Sequence, residues 1–478
     1  MYLQQILNGL CYTTIGKGNP NVEHLSFSTT DIKPNTLFFC LKGKRFDGHD
    51  FFAKAVCDGA VAIVTEKPLD SKVLQIVVED SRLAMAVASK NFFDRCVEKM
   101  QVVSVVGTNG KTSTTYVLDA ILQKAGYNTA VVGTNGIFFN GQKHANQLTT
   151  PDPICLHGWF KQMYLCKVNV VIMEVSAHAI ALNKMQGITS DFAIFTNFSQ
   201  DHLDFFGTME QYKKAKASFF CKQQVNNCVV NVDDSLGQEI AQNFPNTVGY
   251  SCKQSDDCFA TDIQLHPNGS KFLLHLFGKT LPVSTRLQGA FNVYNILASA
   301  SCASAMGVDV QTIVEGVESV GCIDGRNQTF VRNDGARIVV DFAHTPDGVE
   351  NILNYLKSTT KGNLIVVFGC GGNRDKFKRP LMGQVVSKYA NFAVVTNDNP
   401  RYEDPAEIAK EVCSGVTCDC KILLNRSQAT AFALGIAQPS DTVAILGKGS
   451  ECYQEIKGKK LPYSDVDVVC KLIFQSAT

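Results

Sequence analysis

Short apolar runs separated by longer stretches of helical periodicity organise this chain. Over residues 1–95, the runs Thr36-Leu37-Phe38-Phe39-Cys40-Leu41 and Ala60-Val61-Ala62-Ile63-Val64 predict short strands around a helix near Asp50 to Asp58, which Gly59 would cap. From about residue 98 the runs at 102–106, 168–173, 192–195 and 228–232 alternate with helix-like segments, the pattern of a mostly parallel sheet covered by helices. A polar interval at 241–257 leads into the runs 259–263 and 271–276, which predict an added antiparallel edge before a helix from Asn292 to Ala305. A third unit begins near Asn327, with runs at 337–341, 364–368, 392–396 and 442–446. Each of these ends in Gly, Asp or Asn, where a loop leaves the carboxyl edge of a sheet and where ligands bind in open α/β folds.

Length and composition narrow the classes. A chain of 478 residues exceeds what one hydrophobic core usually serves, and 45% hydrophobic with 19% charged residues is the balance of a soluble globular protein. Forty-five Lys plus Arg against 44 Asp plus Glu give a net charge of +1, so no global field argues for nucleic acid or an anionic membrane. Any anion site must be local. The 18 Cys are scattered, and the cluster Cys413, Cys418 and Cys420 lacks a partner pair at zinc-site spacing. With no signal-like start and no long apolar span, the expectation is a cytoplasmic chain with reduced thiols and no membrane insertion.

The most informative stretch is Gly107-Thr108-Asn109-Gly110-Lys111-Thr112, which follows the apolar run 102–106 and opens a helical pattern. Glycine permits close backbone approach to phosphate, the helix N-terminus offers free N–H groups, Lys111 a point charge and Thr112 a hydroxyl for a metal. The loop is shorter than a full P-loop pattern, whose first Gly would fall at Val105. The expected architecture is therefore α/β in three domains. These are a small N-terminal domain (1–95), a central P-loop-like, mostly parallel sheet (96–326) and a C-terminal Rossmann-like domain (327–478).

Other residues carry chemistry less specifically. Glu174 closes an apolar strand, where a carboxylate can hold Mg²⁺ against phosphate oxygens, or can be a plain strand terminus followed by a helix cap at Ser176. His202, in Asp201-His202-Leu203-Asp204, suits either a metal ligand or a structural histidine. Lys213, Lys214 and Lys216 share a probable helix beginning near Thr208 and by themselves read as a solvated basic face. No aromatic and basic interleaving supports nucleic-acid binding.

In consistent order along nearly the whole chain, the glycine loop, Glu174-Val175-Ser176-x-His178, Thr196-Asn197 through Asp204, and Gly289-x-Phe291-Asn292-Val293-Tyr294-Asn295 resemble the Mur ligase family. So do Gly325-Arg326, Asp341-Phe342-Ala343-His344-Thr345-Pro346 and Phe368-Gly369-Cys370-Gly371-Gly372. Asp398-Asn399-Pro400-Arg401 and Gly447-Lys448-Gly449-x-Glu451 resemble its MurE type, which adds the third peptide residue. The resemblance implies an ATP-dependent ligase of peptidoglycan synthesis. It would activate the D-glutamate carboxylate of UDP-MurNAc-L-Ala-D-Glu as an acyl phosphate for attack by an amine.

By the same resemblance, Lys111 would neutralise the transferring phosphate, Thr112 and Glu174 would hold Mg²⁺, and His202 a second Mg²⁺. Lys216 matches the family's carbamylated lysine. Gly107, Thr108, Asn109 and Gly110 would cradle ATP, with Asn292 and Asn295 on the adenine side, Arg326 near the phosphates and Asp341 closing from the third unit. Alone, Asn292 and Asn295 would read as a polar helix start. Thr149, Thr150 and Ser176 would meet the muramoyl peptide, and Ser28 with the loop 43–49 the uridine diphosphate.

Arg401 resembles the residue that holds the distal carboxylate of meso-diaminopimelate, a contact lysine-adding relatives usually lack. Arg374, Asp398, Asn399, Gly447 and Glu451 complete the matched pocket, with Glu451 suited to the distal amine. The chain departs from the family at Ser28-Thr29-Thr30, Leu182, Lys184, Asn373 and Ser450, all outside the phosphate residues, so altered substrate contacts are expected before lost chemistry. The competing readings are an L-lysine-adding ligase, a folylpolyglutamate synthetase and a non-ligase nucleotide hydrolase.

Overall fold

A computed structural model of the chain describes residues 1–43 and 46–475. It has the expected α/β character, with a five-stranded and a six-stranded sheet at the two ends of the sequence and mixed sheet structure between them. The N-terminal sheet runs in the order Thr13–Ile15, Leu74–Val77, Ala60–Thr65, Thr36–Phe39, His24–Ser26, and only the first of these strands is antiparallel to its neighbour. Leu37, Phe39, Ala62, Val64 and Ile76 pack with Met85 and Ala88 of the helix Ser81–Phe92. Asp80 caps that helix by accepting from the N–H groups of Arg82 and Leu83 at 2.7 and 3.0 Å, a contact worth about 1 kcal/mol. Gly59 follows the helix Phe52–Cys57 with φ +119°, as its predicted capping role requires.

By internal packing the chain divides into two compact units, Met1–Val106, Gly126–Ala193 and Ser218–Cys228 in the first, Gly107–Ala125, Ile194–Ala217 and Val229–Thr478 in the second. In the first, the strands Gln101–Val106, Val170–Val175 and Thr129–Gly133 are parallel neighbours, in register Val105 opposite Glu174. A hairpin, Gly136–Phe139 with Gln142–His144, extends them.

In the second unit, the predicted antiparallel edge is present as Cys258–His266, Gly269–Leu276 and Lys279–Thr285. The helix that opens at the glycine loop, Lys111–Lys124, buries Val117, Leu118, Ile121 and Leu122 and packs on the helices Ala290–Ala305 and Val310–Ser319. Gly316 allows that approach, since a Cβ there would lie 2.5 Å from the Ile121 Cα. At about 1.5–3 kcal/mol for each fully buried aliphatic side chain, these contacts make the loop-bearing helix a fixed element.

The C-terminal sheet has the order Gln328–Val331, Arg337–Asp341, Thr442–Leu446, Leu364–Phe368, Phe392–Val395, Asp419–Ile422, with the first strand antiparallel and the rest parallel. Val339, Val366 and Phe368 pack under the helices Pro346–Thr359, Lys378–Tyr389 and Pro405–Cys413. Ile338, Val340, Ile365 and Val367 face the helices Arg426–Ile436 and Asp465–Gln475. Both faces being covered, the strands read as continuous apolar runs. Loops leave their carboxyl ends at Asp341, Phe368, Val395 and Leu446, which brings residues far apart in sequence to one edge.

The 18 cysteines are all free thiols. Among the described residues no helix is long and apolar enough to cross a membrane.

Candidate active site

The glycine loop needs its glycines. A Cβ at Gly107 would sit 1.8 Å from Thr196 Oγ1, and one at Gly110 (φ +85°) 2.4 Å from Asn295 Oδ1. Gly110 gives the helix Lys111–Lys124 no side-chain cap. Asn197 Oδ1 accepts from Asn109 N–H at 2.8 Å, and Thr196 Oγ1 donates to Asn109 O at 2.7 Å, which fixes the loop path. Lys111 Nζ folds back on the loop, donating to the carbonyls of Gly107 (3.0 Å) and Thr108 (2.9 Å). Thr108 Oγ1 lies 3.2 Å from Ser199 O and 3.3 Å from the Tyr212 hydroxyl. The Asn109 side chain donates to Asp347 Oδ2 at 2.8 Å and Ser199 Oγ at 3.3 Å, tying the loop to the start of the helix Pro346–Thr359.

Behind the loop lies a charged cluster. His202, in the left-handed region at φ 56°, places Nε2 3.3 Å from Asp201 Oδ2. His344 Nε2 is 3.7 Å from the same oxygen, and Lys378 Nζ 3.5 Å from Asp201 Oδ1. Burial opposes ionisation of Asp201, yet Lys378, His344 and His202 hold its carboxyl well below the usual range. Lys216 is buried over the Tyr212 ring at 4.8 Å, and burial with the Lys111 charge pushes its ammonium well below its ordinary range, against the pull of Asp201 and Asp234. Lys213 and Lys214 instead pair on the surface with Glu239 and Glu210, the solvated face their spacing suggested.

On the predicted adenine side, Asn295 Nδ2 donates to Asn292 Oδ1 at 3.0 Å, and Asn292 Nδ2 to Gln288 O at 2.9 Å. Both side chains are buried at the start of the helix Ala290–Ala305. Arg326 stacks on Phe342, 4.3 Å from the ring centre, and donates from Nη2 to Thr112 Oγ1 at 2.9 Å. Asp341 accepts from the N–H groups of Asn327 (2.6 Å) and Ala343 (2.7 Å), bracing the connection into the C-terminal sheet. Burial raises its carboxyl, with Arg326 opposing.

The C-terminal edge gathers the predicted amino-acid residues. Asn399 Nδ2 donates to Glu451 Oε2 at 3.0 Å, and Asn399 Oδ1 accepts from Lys448 Nζ at 3.1 Å and from Glu455 N–H at 2.9 Å. Lys448, fully buried, also donates to Glu451 Oε2 at 2.7 Å. Asp398 is buried; burial opposes its charge, while Lys448 and Arg426 lower its carboxyl below the ordinary value. A Cβ at Gly447 (φ +114°) would lie 2.8 Å from Asp398 Oδ2. Arg401 Nε donates to Glu455 Oε2 at 3.1 Å, and its Nη1 to Gly372 O at 2.8 Å. Arg374 is more exposed, 3.6 Å from Asp204 Oδ2.

The remaining candidates lie in the first unit. The buried Glu174 carboxylate accepts from Thr134 N–H (2.9 Å) and Thr134 Oγ1 (3.0 Å), and Thr149 Oγ1 is 3.1 Å from Thr134 Oγ1. Thr150 Oγ1 donates to Glu174 O at 2.9 Å and accepts from Ser176 N–H at 3.1 Å. Ser176 caps the helix Ala177–Ala181. Lys184 Nζ pairs with Asp152 at 2.9 Å and reaches Thr150 O at 3.3 Å. Ser28 Oγ is 2.9 Å from Thr30 Oγ1. In the loop 43–49, Lys44 and Arg45 lie outside the described residues, and His49 is fixed by Asp47 at 2.6 Å and by Glu66 N–H at 3.2 Å.

No group of three or more His, Cys, Asp or Glu able to hold a metal occurs among the described residues. By donor type, a hydroxyl such as that of Thr112 and a carboxylate such as that of Glu174 are each the hard oxygen ligand that magnesium takes alongside water and phosphate oxygens. Sequence reasoning gave no role to Asn197, Ser199, His344, Asp347, Lys378, Lys448 or Glu455. Of these, Asn197, Ser199, His344 and Lys448 fell inside motifs that had drawn attention, whereas Asp347, Lys378 and Glu455 did not.

Family profiles cover most of the chain. "Mur ligase family, catalytic domain" matches residues 21–106, "Mur ligase middle domain" 105–303, and "Mur ligase, glutamate ligase domain" 325–449. The chain is 39% identical over 477 residues to a UDP-N-acetylmuramoyl-L-alanyl-D-glutamate–2,6-diaminopimelate ligase of Geobacillus thermodenitrificans, covering 97% of this chain and 98% of that one. It is 37% identical over 482 residues to the ligase of the same name from Clostridium botulinum, covering 99% of each. A solved structure of a ligase bearing that name superposes with a TM-score of 0.70 at 30% identity, covering 100% of this chain and 99% of the other.

Proposed function

The chain belongs to the Mur ligase family, and on that premise we propose that it joins meso-diaminopimelate to UDP-N-acetylmuramoyl-L-alanyl-D-glutamate, using ATP and Mg²⁺, in cytoplasmic peptidoglycan precursor synthesis. The observation that carries the reading is that one compact unit holds both a phosphate loop with an uncapped helix N-terminus and the Arg401 edge. The reading assigns uridine diphosphate binding to 1–95, ATP chemistry to 96–326 and the amino acid to 327–478.

In this scheme Lys111 Nζ leaves the carbonyls of Gly107 and Thr108 for the γ-phosphate, while the first N–H groups of its helix hold the remaining phosphate oxygens. The D-glutamate carboxylate attacks the γ-phosphorus, the bond to ADP breaks, and an acyl phosphate forms. The α-amine of diaminopimelate then attacks the acyl carbon, phosphate leaves, and the amine's proton passes to solvent or phosphate. Bound magnesium would supply charge neutralisation at the phosphate oxygens, with Thr112 and Glu174 as protein donors and His202 and a carbamylated Lys216 at a second ion. Arg326 contributes a guanidinium toward the phosphates, Asn292 and Asn295 line the adenine side, and Asp341 fixes the connection that carries Arg326. Ser28, Thr149, Thr150, Ser176 and Lys184 are assigned to the nucleotide peptide, and Arg374, Asp398, Asn399, Arg401, Gly447 and Glu451 to the amino acid.

The test is phosphate release with the nucleotide dipeptide and each amino acid in turn. Ligated product should form with meso-diaminopimelate at least about 100-fold more efficiently than with L-lysine, the cost of leaving a charge-assisted contact unpaired. Phosphate release without ligated product would favour a nucleotide hydrolase.

A further inference from the structure

Arg401 is held in an unusual way. At φ 53° it occupies the left-handed region, its N–H donates to Glu455 O at 3.0 Å, and its carbonyl accepts from Lys457 N–H at 2.6 Å. The hairpin Tyr453–Ile456 with Lys459–Pro462, a two-stranded sheet of its own, is thus pinned to Arg401 through the backbone. Glu455 then adds its side chain, with Oε2 3.1 Å from Arg401 Nε. Arg401 Nη1 is taken by the carbonyls of Gly372 at 2.8 Å and Asn399 at 3.5 Å. A Cβ at Gly371 would lie 2.9 Å from that nitrogen, so the guanidinium also rests against bare backbone. Among the described residues none bonds the remaining donor group, Nη2, which faces a ligand in this assignment.

The two glutamates on this edge differ. Glu451, the glutamate that the family resemblance suggested for the distal amine, has its Oε2 already satisfied by the buried Lys448 ammonium and by Asn399, so its charge is balanced inside the protein and the distal ammonium is assigned instead to Glu455. Glu455 has as its cation Arg401, the same guanidinium assigned to the ligand's distal carboxylate. When that carboxylate arrives, two carboxylates share one guanidinium, and the set lacks one positive charge. The distal carbon of diaminopimelate carries both a carboxylate and an ammonium. A ligand ammonium beside Glu455 restores neutrality, and at such short range in a partly buried site an uncompensated charge is costly.

Building on the ligase reading above, we propose that Glu455 is a specificity-determining residue. In this assignment Arg401 Nη2 takes the distal carboxylate and the Glu455 carboxylate takes the distal ammonium, so the pair reads the zwitterionic end as one unit. Asn399, bonded through one amide to both Glu451 and Glu455 N–H, holds the reader in register. A side chain ending in an ammonium alone leaves Arg401 Nη2 without its anion. One ending in a carboxylate alone sets two anions against one cation.

The test compares kcat/KM for meso-diaminopimelate and for L-2-aminopimelate, which keeps the distal carboxylate but lacks the distal ammonium. Glu455→Gln preserves an oxygen acceptor for Arg401 Nε while removing the charge, and Glu455→Asp keeps the charge on a shorter arm. The wild type should prefer diaminopimelate by at least about 10-fold, the worth of a charge-assisted hydrogen bond. Glu455→Gln should collapse that ratio toward one, mainly through KM for the amino acid. Glu455→Asp should recover part of the ratio. A Glu455→Gln ratio equal to that of the wild type overturns the assignment while the ligase reading stands. Equal losses for both amino acids in the Gln and Asp variants, with lowered melting temperatures, reduce Glu455 to a structural prop and also overturn it. Absence of any amino-acid-dependent ligation by the wild type overturns the functional reading, and this inference with it.

Discussion

Arg326 Nη2 donates to Thr112 Oγ1 at 2.9 Å, so the hydroxyl assigned to magnesium also meets a guanidinium. A divalent ion and a guanidinium cannot share that oxygen without repulsion, whereas a phosphate between them attracts both. Nucleotide binding should therefore move Arg326 from Thr112 to a phosphate oxygen while Phe342 keeps the stacking contact. Arg326→Ala is expected to raise KM for MgATP by about 10-fold or more, the range of a hydrogen bond to a charged group. Arg326→Lys should recover part of the loss, limited by the missing fork and stack. Unchanged KM for MgATP in Arg326→Ala would remove Arg326 from the phosphate site.

Lys111→Met and Glu174→Gln should each slow ligation by about 100-fold or more, equivalent to about 2.7 kcal/mol of transition-state stabilisation. Glutamine at 174 keeps an acceptor for Thr134, so the fold should melt near the wild-type temperature. The check is single-turnover acyl-phosphate formation with magnesium in excess. Wild-type rates in either variant would remove that residue from the phosphoryl-transfer step.

The parts of this protein legible in its sequence are those whose physics is local. The C-terminal strands showed as apolar runs because residues such as Val366 and Val367 are buried on opposite faces. The glycine loop showed because a strand, a turn and a helix start lie within a dozen residues. The hairpin Tyr453–Ile456 with Lys459–Pro462 did not, since none of its residues is fully buried and no alternation marks it. Asp347 escaped notice because its partner Asn109 lies 238 residues away, and Glu455 because nothing in a sequence ties it to Arg401. Motif resemblance supplied Arg326 and Lys216, whose surroundings are assembled from elements distant in the chain.

Lys216 should carry a carbamate. Its amine is pushed toward the neutral form by burial and by Lys111, and a neutral Nζ attacks carbon dioxide, forming an N–C bond and releasing a proton to water. Labelled bicarbonate should give a carbamate carbon signal in the wild type that Lys216→Ala lacks and that Lys213→Ala and Lys214→Ala keep. Short carboxylic acids should restore part of the Lys216→Ala activity. A wild-type spectrum without that signal at full ATP and magnesium would refute the modification.

Glu403 makes the C-terminal edge acid-sensitive. Burial raises its carboxyl, but hydrogen bonds from Arg379 and the Asn373 N–H overcome that and bring it from 4.5 to about 2. A carboxyl depressed in the folded state stabilises fully above its unfolded value and loses that contribution as pH falls through the folded one. Between about pH 4.5 and 2 the wild type should lose on the order of 3 kcal/mol through this group, at about 1.4 kcal/mol per pH unit. Urea midpoints over that window should fall less steeply, by close to one proton, in Glu403→Gln. Parallel curves for the two proteins would show that Arg379 and Glu403 gain nothing from each other.

Asn109 and Asp347 provide the last test, because they join the phosphate loop to the helix that begins the C-terminal sheet's cover. Asp347 Oδ2 accepts from Asn109 Nδ2 at 2.8 Å and from Ser199 Oγ at 3.3 Å, so one carboxylate oxygen fixes the loop and the segment after Asn197. In the proposed scheme ATP phosphates sit at the loop and the amine comes from the C-terminal edge, and this contact would position one against the other. Removing it should lower kcat more than it raises KM for either ATP or the amino acid, since each substrate keeps its own contacts. Asp347→Ala should reduce kcat by about 10-fold, matching a charge-assisted bond. In a double-mutant cycle, Asn109→Ala and Asp347→Ala should couple by at least about 1 kcal/mol in kcat, whereas residues acting separately would add. Additive losses would mean the two residues support the fold independently, and the positioning role assigned to this contact would be withdrawn.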